Sequence, residues 1–245
     1  RCRRPTCRSW RRRTRWSREW EWTEAGSLHP GDEICLHDHR TASPWGDGKD
    51  EADDRAEGYL RGLLVGVGTL NSDKAVLSVW PGKAVVNGQD ERPGVRGVMQ
   101  EVMRAAQMLP HRVDFIGWVE VPERGEWRLS RGALRKLALE MGMAPGNKSI
   151  TPAMERRSSA FHESFLRGFF DADGSVQGSQ QKGVSVRLGQ SDLARLQAVQ
   201  RMLLRLGIKS TIYESRRAAG ASVLPDGKGG SKSYPAKAQH ELIVS

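Results

Sequence analysis

The chain has 245 residues, 38% hydrophobic and 28% charged, with a formal net charge of +10, a balance that excludes fibrous and extended disordered classes and leaves length enough to bury a core. No apolar run approaches the ~20 residues needed to cross a bilayer, and the N-terminus lacks the apolar core of a secretory signal, so no membrane partner and a cytoplasmic home are expected. Three cysteines, Cys2, Cys7 and Cys35, make no disulfide framework and fit a reducing compartment.

The basic excess is local. Nine arginines and no acid fall within residues 1–18, which leaves 30 bases against 29 acids elsewhere. Any nucleic-acid reading must therefore come from patterning in the body of the chain. Residues 1–24, RCRRPTCRSWRRRTRWSREWEWTE, mix arginine and tryptophan without helical or strand periodicity. They read as a disordered tail, with two alternatives: a basic arm that grips phosphates and stacks tryptophans on bases, or a stretch translated outside its ancestral frame. Residues 25–45 open with the turn His29-Pro30-Gly31-Asp32 and continue as a strand. Cys35, His37 and His39 share one face of that strand, but three such residues without a fourth do not make a metal site. Residues 46–56 form an acidic linker.

From there two units of about 100 residues follow each other, 57–150 and 151–245. In the first, Asp53 or Asp54 is expected to cap a helix running through Leu63 and Leu64. Strands are expected at 75–80 and 84–87. A helix from Pro93 carries the stripe Val95, Val98, Met99, Val102 and Met103. A strand over 113–121 and a helix through Leu134, Leu137, Ala138 and Met141, stopped by Gly142, complete the unit. A polar connector, 143–159, leads to the second. There a helix ends at Gly174, strands follow at 175–179 and 183–189, and Ser191 is expected to cap a helix that Gly207 stops. Strands at 208–215 and 239–244 flank a flexible basic loop, LPDGKGGSKSYP. That loop lacks the Gly-Lys-Ser/Thr step of a phosphate-binding loop.

One phrase opens both units: LRGLLVGVGTL at 60–70 and LRGFFDADGSV at 166–176, 106 residues apart. Gly58, Gly62 and Gly66 recur every four residues and form a bare stripe along one helix; Gly168 and Ala172 do the same in the second. Small residues at this spacing let two helix backbones approach closely. The simplest architecture packs the two helices about a pseudo-two-fold axis, with the residues just beyond them meeting at its foot. In the second copy that residue is Asp173, followed by Gly174. Two acids brought together this way would hold a divalent metal for phosphodiester hydrolysis. The strands after each helix would form a saddle over DNA. Val184, Val186 and Leu188 face the core and leave Ser185 and Arg187 outward; Ile208 and Ile212 face inward and leave Lys209, Thr211 and Tyr213 outward. Arg187 and Lys209 there suit phosphate and guanine contacts. The competing reading of those strands is an ordinary half-solvated sheet. A dinucleotide-binding reading of Gly66-Val67-Gly68 fails because the next glycine is replaced by Asn71.

The phrase FLRGFFDADGSV resembles the LAGLIDADG (DOD-type) signature of homing endonucleases, and LRGLLVGVGTL resembles the first of the two copies in single-chain members. WTEAGSLHPGDEICL resembles the stretch of an intein that precedes its inserted endonuclease, and the closing segment is similar to endonuclease domains of inteins in ribonucleotide reductases. The resemblance implies an α+β fold of two αββαββα half-domains with antiparallel sheets, preceded by a small β remnant of a splicing domain. It implies a monomer with an internal pseudo-two-fold axis and a long, asymmetric double-stranded DNA target. It makes Asp173 the acid that binds the catalytic Mg²⁺ (or Mn²⁺), and Gly62, Gly66, Gly168, Ala172 and Gly174 the helix-packing positions. Asp171 matches an acid that is not usually a ligand, and Lys237 is the candidate for the basic residue that polarises the attacking water. Val67 stands where the first catalytic acid belongs. Valine cannot bind a metal or accept a proton, so double-strand cleavage is expected to be severely impaired, unless Asp73 substitutes. The alternative is a sequence-selective DNA-binding module without catalysis. Arg1 in place of a nucleophilic first residue, and Val244-Ser245 in place of a terminal His-Asn, lead to the expectation of no self-splicing.

Overall fold

The computed structural model describes residues 2–6, 19–34, 44–46, 51–81, 93–179, 181, 183–225 and 230–244. The chain divides into two compact units, Arg1–Ala42 and Ser43–Ser245. In the first, β1 (Cys2–Thr6) pairs antiparallel with β2 (Glu19–Thr23), within a stretch whose sequence shows no strand alternation. A short 3-10 turn covers Ala25–Ser27. The expected tight turn follows: the Asp32 N–H donates to the His29 carbonyl at 3.1 Å, and the Asp32 carboxylate accepts from the His29 N–H at 2.8 Å. The strand bearing Cys35, His37 and His39 lies outside the described residues, as do Cys7 and the strand expected over 84–87.

The second unit contains both copies of the repeated phrase. The first gives α1 (Glu51–Val67), β3 (Gly68–Leu70), β4 (Ala75–Val79), α2 (Pro93–Met108), β5 (Val119–Val121), β6 (Glu126–Arg131) and α3 (Gly132–Glu140). A short helix, α4 (Pro152–Glu155), lies in the connector. The second copy gives α5 (Ser159–Asp173), β7 (Gly174–Ser179), β8 (Gly183–Gln190), α6 (Leu193–Arg205), β9 (Thr211–Arg217), an added hairpin β10 (Gly220–Pro225) and β11 (Ser231–Ala236), and β12 (Gln239–Val244). The sheets are antiparallel, in the orders β3-β4-β6-β5 and β7-β8-β12-β9. Both place the fourth main strand between the second and the third. The α+β class follows directly.

Burial explains the layers. Leu63, Leu64, Leu77, Leu129, Leu134 and Val102 gather the first copy, and Phe165, Phe169, Leu188, Leu196, Val199 and Leu242 the second, in one continuous core. The helix capping is shifted from expectation. α1 already runs at Glu51, and Asp54 reaches across instead to Arg157 and Ser158 at the start of α5. Asp192, not Ser191, caps α6, accepting from the Arg195 N–H at 3.2 Å. The strand expected over 113–121 shrinks to its last three residues, because Gly117 takes φ +83° and Val113 is fully exposed. Trp118 instead turns its indole N–H to the Met99 carbonyl at 3.0 Å. The basic loop over 224–235 is not a plain loop: its flanks pair as β10 and β11.

Candidate nucleic-acid interface and metal centre

α1 and α5 pack backbone to backbone through the bare stripe. A Cβ at Gly58 would stand 2.6 Å from the Phe161 carbonyl oxygen, and one at Gly62 would stand 2.7 Å from the Phe169 nitrogen with the Phe165 carbonyl closer still. Across the pair, a Cβ at Gly168 would collide with the Tyr59 carbonyl. Leucine or even alanine at these points would force the helices apart. Glycine's cost of roughly 1 kcal/mol in a helix interior is offset here by close contact along the whole pair.

The packing fixes the helix ends. Val67 is the last residue of α1 and Asp173 the last of α5, and each is followed at once by a glycine that starts a strand. A Cβ on Gly66 would lie 3.3 Å from the Asp173 carboxyl carbon and against the Ala172 methyl. The carboxylate of one helix therefore sits at the foot of the other. Val67, in the position matching Asp173, is partly buried and packs against the core.

Around Asp173 is a polar set. Its carboxylate accepts from the Gln190 side-chain amide at 2.7 Å, and the Gln190 carbonyl oxygen accepts from Arg195 at 3.0 Å. From the connector, the Lys148 ammonium donates to the Leu64 carbonyl at 3.0 Å and to the Gly68 carbonyl. Burial is the main cause holding the Lys148 pKa below its ordinary value; Arg195 adds to it and Asp173 opposes it. Sequence reasoning missed Gln190, Arg195 and Lys148. Gln190 ends a strand and Lys148 lies in an irregular connector, so neither belongs to a periodic pattern.

Asp171 lies apart from this set. It is exposed, and its carboxylate accepts from the Tyr59 hydroxyl of α1 at 2.9 Å. Burial first, then the Asp171 charge, push the Tyr59 pKa up. The equivalent pair in the other direction, 106 residues away, is Phe165 and Val65, both buried and apolar. Hydroxyl and carboxylate are present together on one side and absent together on the other.

The outer sheet faces flank the centre. On the first sheet, Val67, Thr69, Lys74, Ser78, Trp80 and Arg128 line a groove of about 460 Å³. Glu126 in the same groove is clasped by Arg128 at 2.7 and 2.8 Å, which holds its carboxyl below the usual range, with Ser78 helping. On the second sheet Arg187 donates to Ser185 at 3.0 Å and lies 3.6 Å from Glu241, which also takes Arg216 at 2.6 Å. Thr211 and Tyr213 are exposed on β9, and Lys209 is exposed just before it. Lys237 is exposed between β11 and β12. Asp73 is half-exposed or more beside Lys74, 3.9 Å away, in the β3–β4 turn. Val184 and Val186 share the face of Leu188 along β8 but are exposed rather than buried, and Ile208 precedes the strand; Leu188 and Ile212 pack with the core as expected. Most of β7 and the start of β8 are exposed.

A divalent ion at this centre would be met by a single protein carboxylate among the described residues. Among the described residues no three His, Cys, Asp or Glu side chains cluster for a metal, and Asp173 is the one carboxylate at the foot of the helix pair. Mg²⁺ is commonly held by one or two carboxylates with waters and phosphate oxygens. Among the described residues, no helix is long and apolar enough to cross a membrane.

Residues 160–245 match a LAGLIDADG-like domain. Over 191 residues, 76% of this chain, the sequence is 26% identical to the ribonucleoside-diphosphate reductase NrdEB subunit alpha of Bacillus subtilis (strain 168), and equally to that of Bacillus phage SPbeta. The match covers only 17% of those relatives' own length. Among solved structures, mesophilic variants of the homing endonuclease I-DmoI align with a TM-score of 0.43 at 16% identity, covering 79% of this chain and 84% of theirs. I-DmoI in complex with DNA and Mn gives 0.42 at 17% identity, covering 79% and 90%. Full-length DUF199/WhiA from Thermatoga maritima gives 0.42 at 13%, covering 83% and 53%.

Proposed function

We propose that this chain, whose residues 160–245 are LAGLIDADG-like, is the endonuclease portion of an intein borne by a ribonucleotide reductase, binding a long, asymmetric double-stranded DNA site as a monomer. The observation that carries this reading is the helix pair. It brings the equivalent positions Val67 and Asp173 to the foot of one packed seam, each at the head of a four-stranded sheet of the same order. The outer sheet faces present Arg187, Lys209, Thr211 and Tyr213 on one side and Lys74 and Arg128 on the other, residues suited to phosphate and base-edge contacts.

Asp173 is the residue that would hold Mg²⁺ or Mn²⁺. Such an ion, when bound, activates water and stabilises the leaving oxygen of a phosphodiester. Gln190 fixes the rotamer of Asp173, and Arg195 fixes Gln190. Lys237 is proposed to polarise the attacking water. With Val67 in the matching place, one strand's half of the centre lacks its acid, so the chain nicks at most or binds without cutting.

The test is a gel-shift titration with a duplex spanning a ribonucleotide reductase gene from which the insertion is absent. Selective retention relative to a scrambled duplex is expected, and it should weaken about tenfold or more for Arg187→Ala together with Tyr213→Ala. Equal binding to both duplexes would end the site-specific reading.

A further inference from the structure

The first sheet ends in a cavity that neither the helix seam nor the outer groove accounts for. It holds about 510 Å³ beside the edge strand β5, and Phe115, Ile116, Val119 and Val121 give it an apolar wall. One charge is buried there. Arg131 closes β6, and its side chain alternates with those of Arg128 and Ser130, which line the groove on the outer face. Arg131 therefore turns to the other face, where it is 5% exposed. Its Nη2 donates to the Leu109 and Pro110 carbonyls just past α2, at 3.1 and 3.4 Å, and its guanidinium stacks 4.0 Å over the Phe115 ring. Nη1 is buried and has no hydrogen-bond partner among the described residues.

Capping of α2 explains Nη2 and leaves Nη1 unexplained. A second buried arginine supplies the comparison. Arg61 is buried as deeply, but Glu57 lies 3.1 Å from it and opposes the lowering of its pKa. At Arg131 burial lowers the pKa with no acid to oppose it. An unpaired charge in an apolar site is costly, and a carboxylate matches the planar guanidinium best. The other ions at the wall are engaged, Arg112 with Asp114 at 3.0 Å and Arg128 with Glu126 at 2.7 Å. The cavity thus calls for one carboxylate. Two further observations describe the body that carries it. Val113, Ile116 and Val119 are exposed along the segment that forms the wall. β5 is the outermost strand of its sheet, so one side of its backbone has no strand partner among the described residues. Such an edge is a template for an added strand.

We propose that this cavity and edge form a docking site for an extended peptide of a partner protein, which lies beside β5, covers Val113, Ile116 and Val119, and places one carboxylate on Arg131. The site is separate from the foot of the helix pair and does not rest on the nuclease reading. Because Arg131 leaves the outer face, its anion is a peptide carboxylate and not a DNA phosphate.

The test is fluorescence anisotropy with the full chain and a labelled, capped peptide of about seven residues. The peptide alternates valine and threonine around one central glutamate; its twin has glutamine there. The glutamate peptide is expected to bind about tenfold more tightly than its twin. Arg131→Met should erase that difference, and Ile116→Asp, at an exposed position, should weaken both peptides about tenfold. Circular dichroism checks the fold; if Arg131→Met is not folded, the twin peptides and Ile116→Asp decide alone. Equal binding of the twins, or binding of neither, would make Arg131 a cap for the end of α2 only, and the proposal fails. It fails also if isovalerate, a free acid with a branched apolar body, displaces the peptide at equal concentration, the cavity then being a small-acid site. Loss of duplex retention by Arg131→Met in a gel shift, without discrimination between the twins, would assign the guanidinium to phosphate instead. Self-association of the unaltered chain in sedimentation, abolished by Ile116→Asp, would make a second copy the occupant and overturn the partner reading.

Discussion

At the scale of single residues, the two pairs Tyr59–Asp171 and Phe165–Val65 account for the acid at 171 and for the apolar residue at 65. Asp171 is there for a hydroxyl on the facing helix, Asp173 for the foot of the seam. Removing the hydroxyl with Tyr59→Phe is expected to cost about 1 kcal/mol, the usual net worth of such a bond. Combining it with Asp171→Val should cost less than the two single changes summed, because the double variant reproduces the apolar pair across the axis. Urea unfolding of the cycle checks this; strict additivity would mean the two side chains do not share energy. A second residue-scale prediction concerns His162, fully buried in α5 with its ring edge against Trp45. Burial first, then Arg205, hold its pKa below the ordinary value. The folded state therefore keeps it neutral while the unfolded state takes up a proton below about pH 6.5. Stability that this residue contributes is present above that pH and is lost as pH falls through it. The urea midpoint of the unaltered chain should drop more between pH 7.5 and 5.5 than that of His162→Phe; equal drops would contradict the argument.

Among secondary-structure elements, the glycines separate packing from propensity. Gly62→Ala places a methyl inside the Phe165 carbonyl contact, where both neighbours are backbone and neither can yield. A loss of about 3 kcal/mol or more is expected. Gly97→Ala, in α2 with nothing within 4 Å of the new methyl, should instead stabilise by about 1 kcal/mol. Denaturant melts of the two variants suffice, and similar effects from both would mean that the seam is not close-packed. This is also where the sequence was most legible. Spacing of four along Gly58, Gly62 and Gly66 is a steric statement that survives translation into coordinates, and it located the seam, its two helices and the residues at its foot. What escaped was set by tertiary contact. The alternation of residues 113–121 looks like a strand, yet Arg131 stacks 4.0 Å over Phe115 and Gly117 turns the backbone away. β6 follows the turn Pro122-Glu123-Arg124-Gly125, whose proline and glycine mark a turn without marking the strand after it. Lys148 carries no periodic signal at all, because its role is fixed by two carbonyls far away in sequence. The arginines of the repeated phrase show the same limit: Arg61 is buried and donates to the Leu137 carbonyl of α3 at 3.0 Å, while Arg167 lies exposed over the Tyr59 ring. Identical triplets were given different neighbours.

For the molecule as a whole, the division at Ala42 and Ser43 makes a claim about autonomy. Residues 44–46 belong with the larger unit: the Trp45 indole donates to the Arg157 carbonyl at 3.0 Å, and the Trp45 carbonyl accepts from the Ser159 N–H at 3.0 Å. A chain starting at Ser43 should melt within a few degrees of the full chain, whereas one starting at Glu51 should melt several degrees lower, on the order of 1–2 kcal/mol for two lost bonds and the ring contact. Equal melting of both truncations would show that Trp45 contributes nothing. The body of the chain is nearly neutral outside residues 1–18, so DNA affinity carried by the sheet faces should weaken with salt, with a modest log–log slope for the truncated form.

The central claim is that one acid separates this chain from a two-acid centre, and plasmid cleavage in Mg²⁺ tests it most directly. A supercoiled plasmid carrying the uninterrupted ribonucleotide reductase gene segment is incubated with the unaltered chain and with Val67→Asp. Linear product is predicted only from Val67→Asp, with nicked circles at most from the unaltered chain. Linear product from the unaltered chain at the rate of Val67→Asp would contradict this, because the foot of the helix pair would then need no second carboxylate.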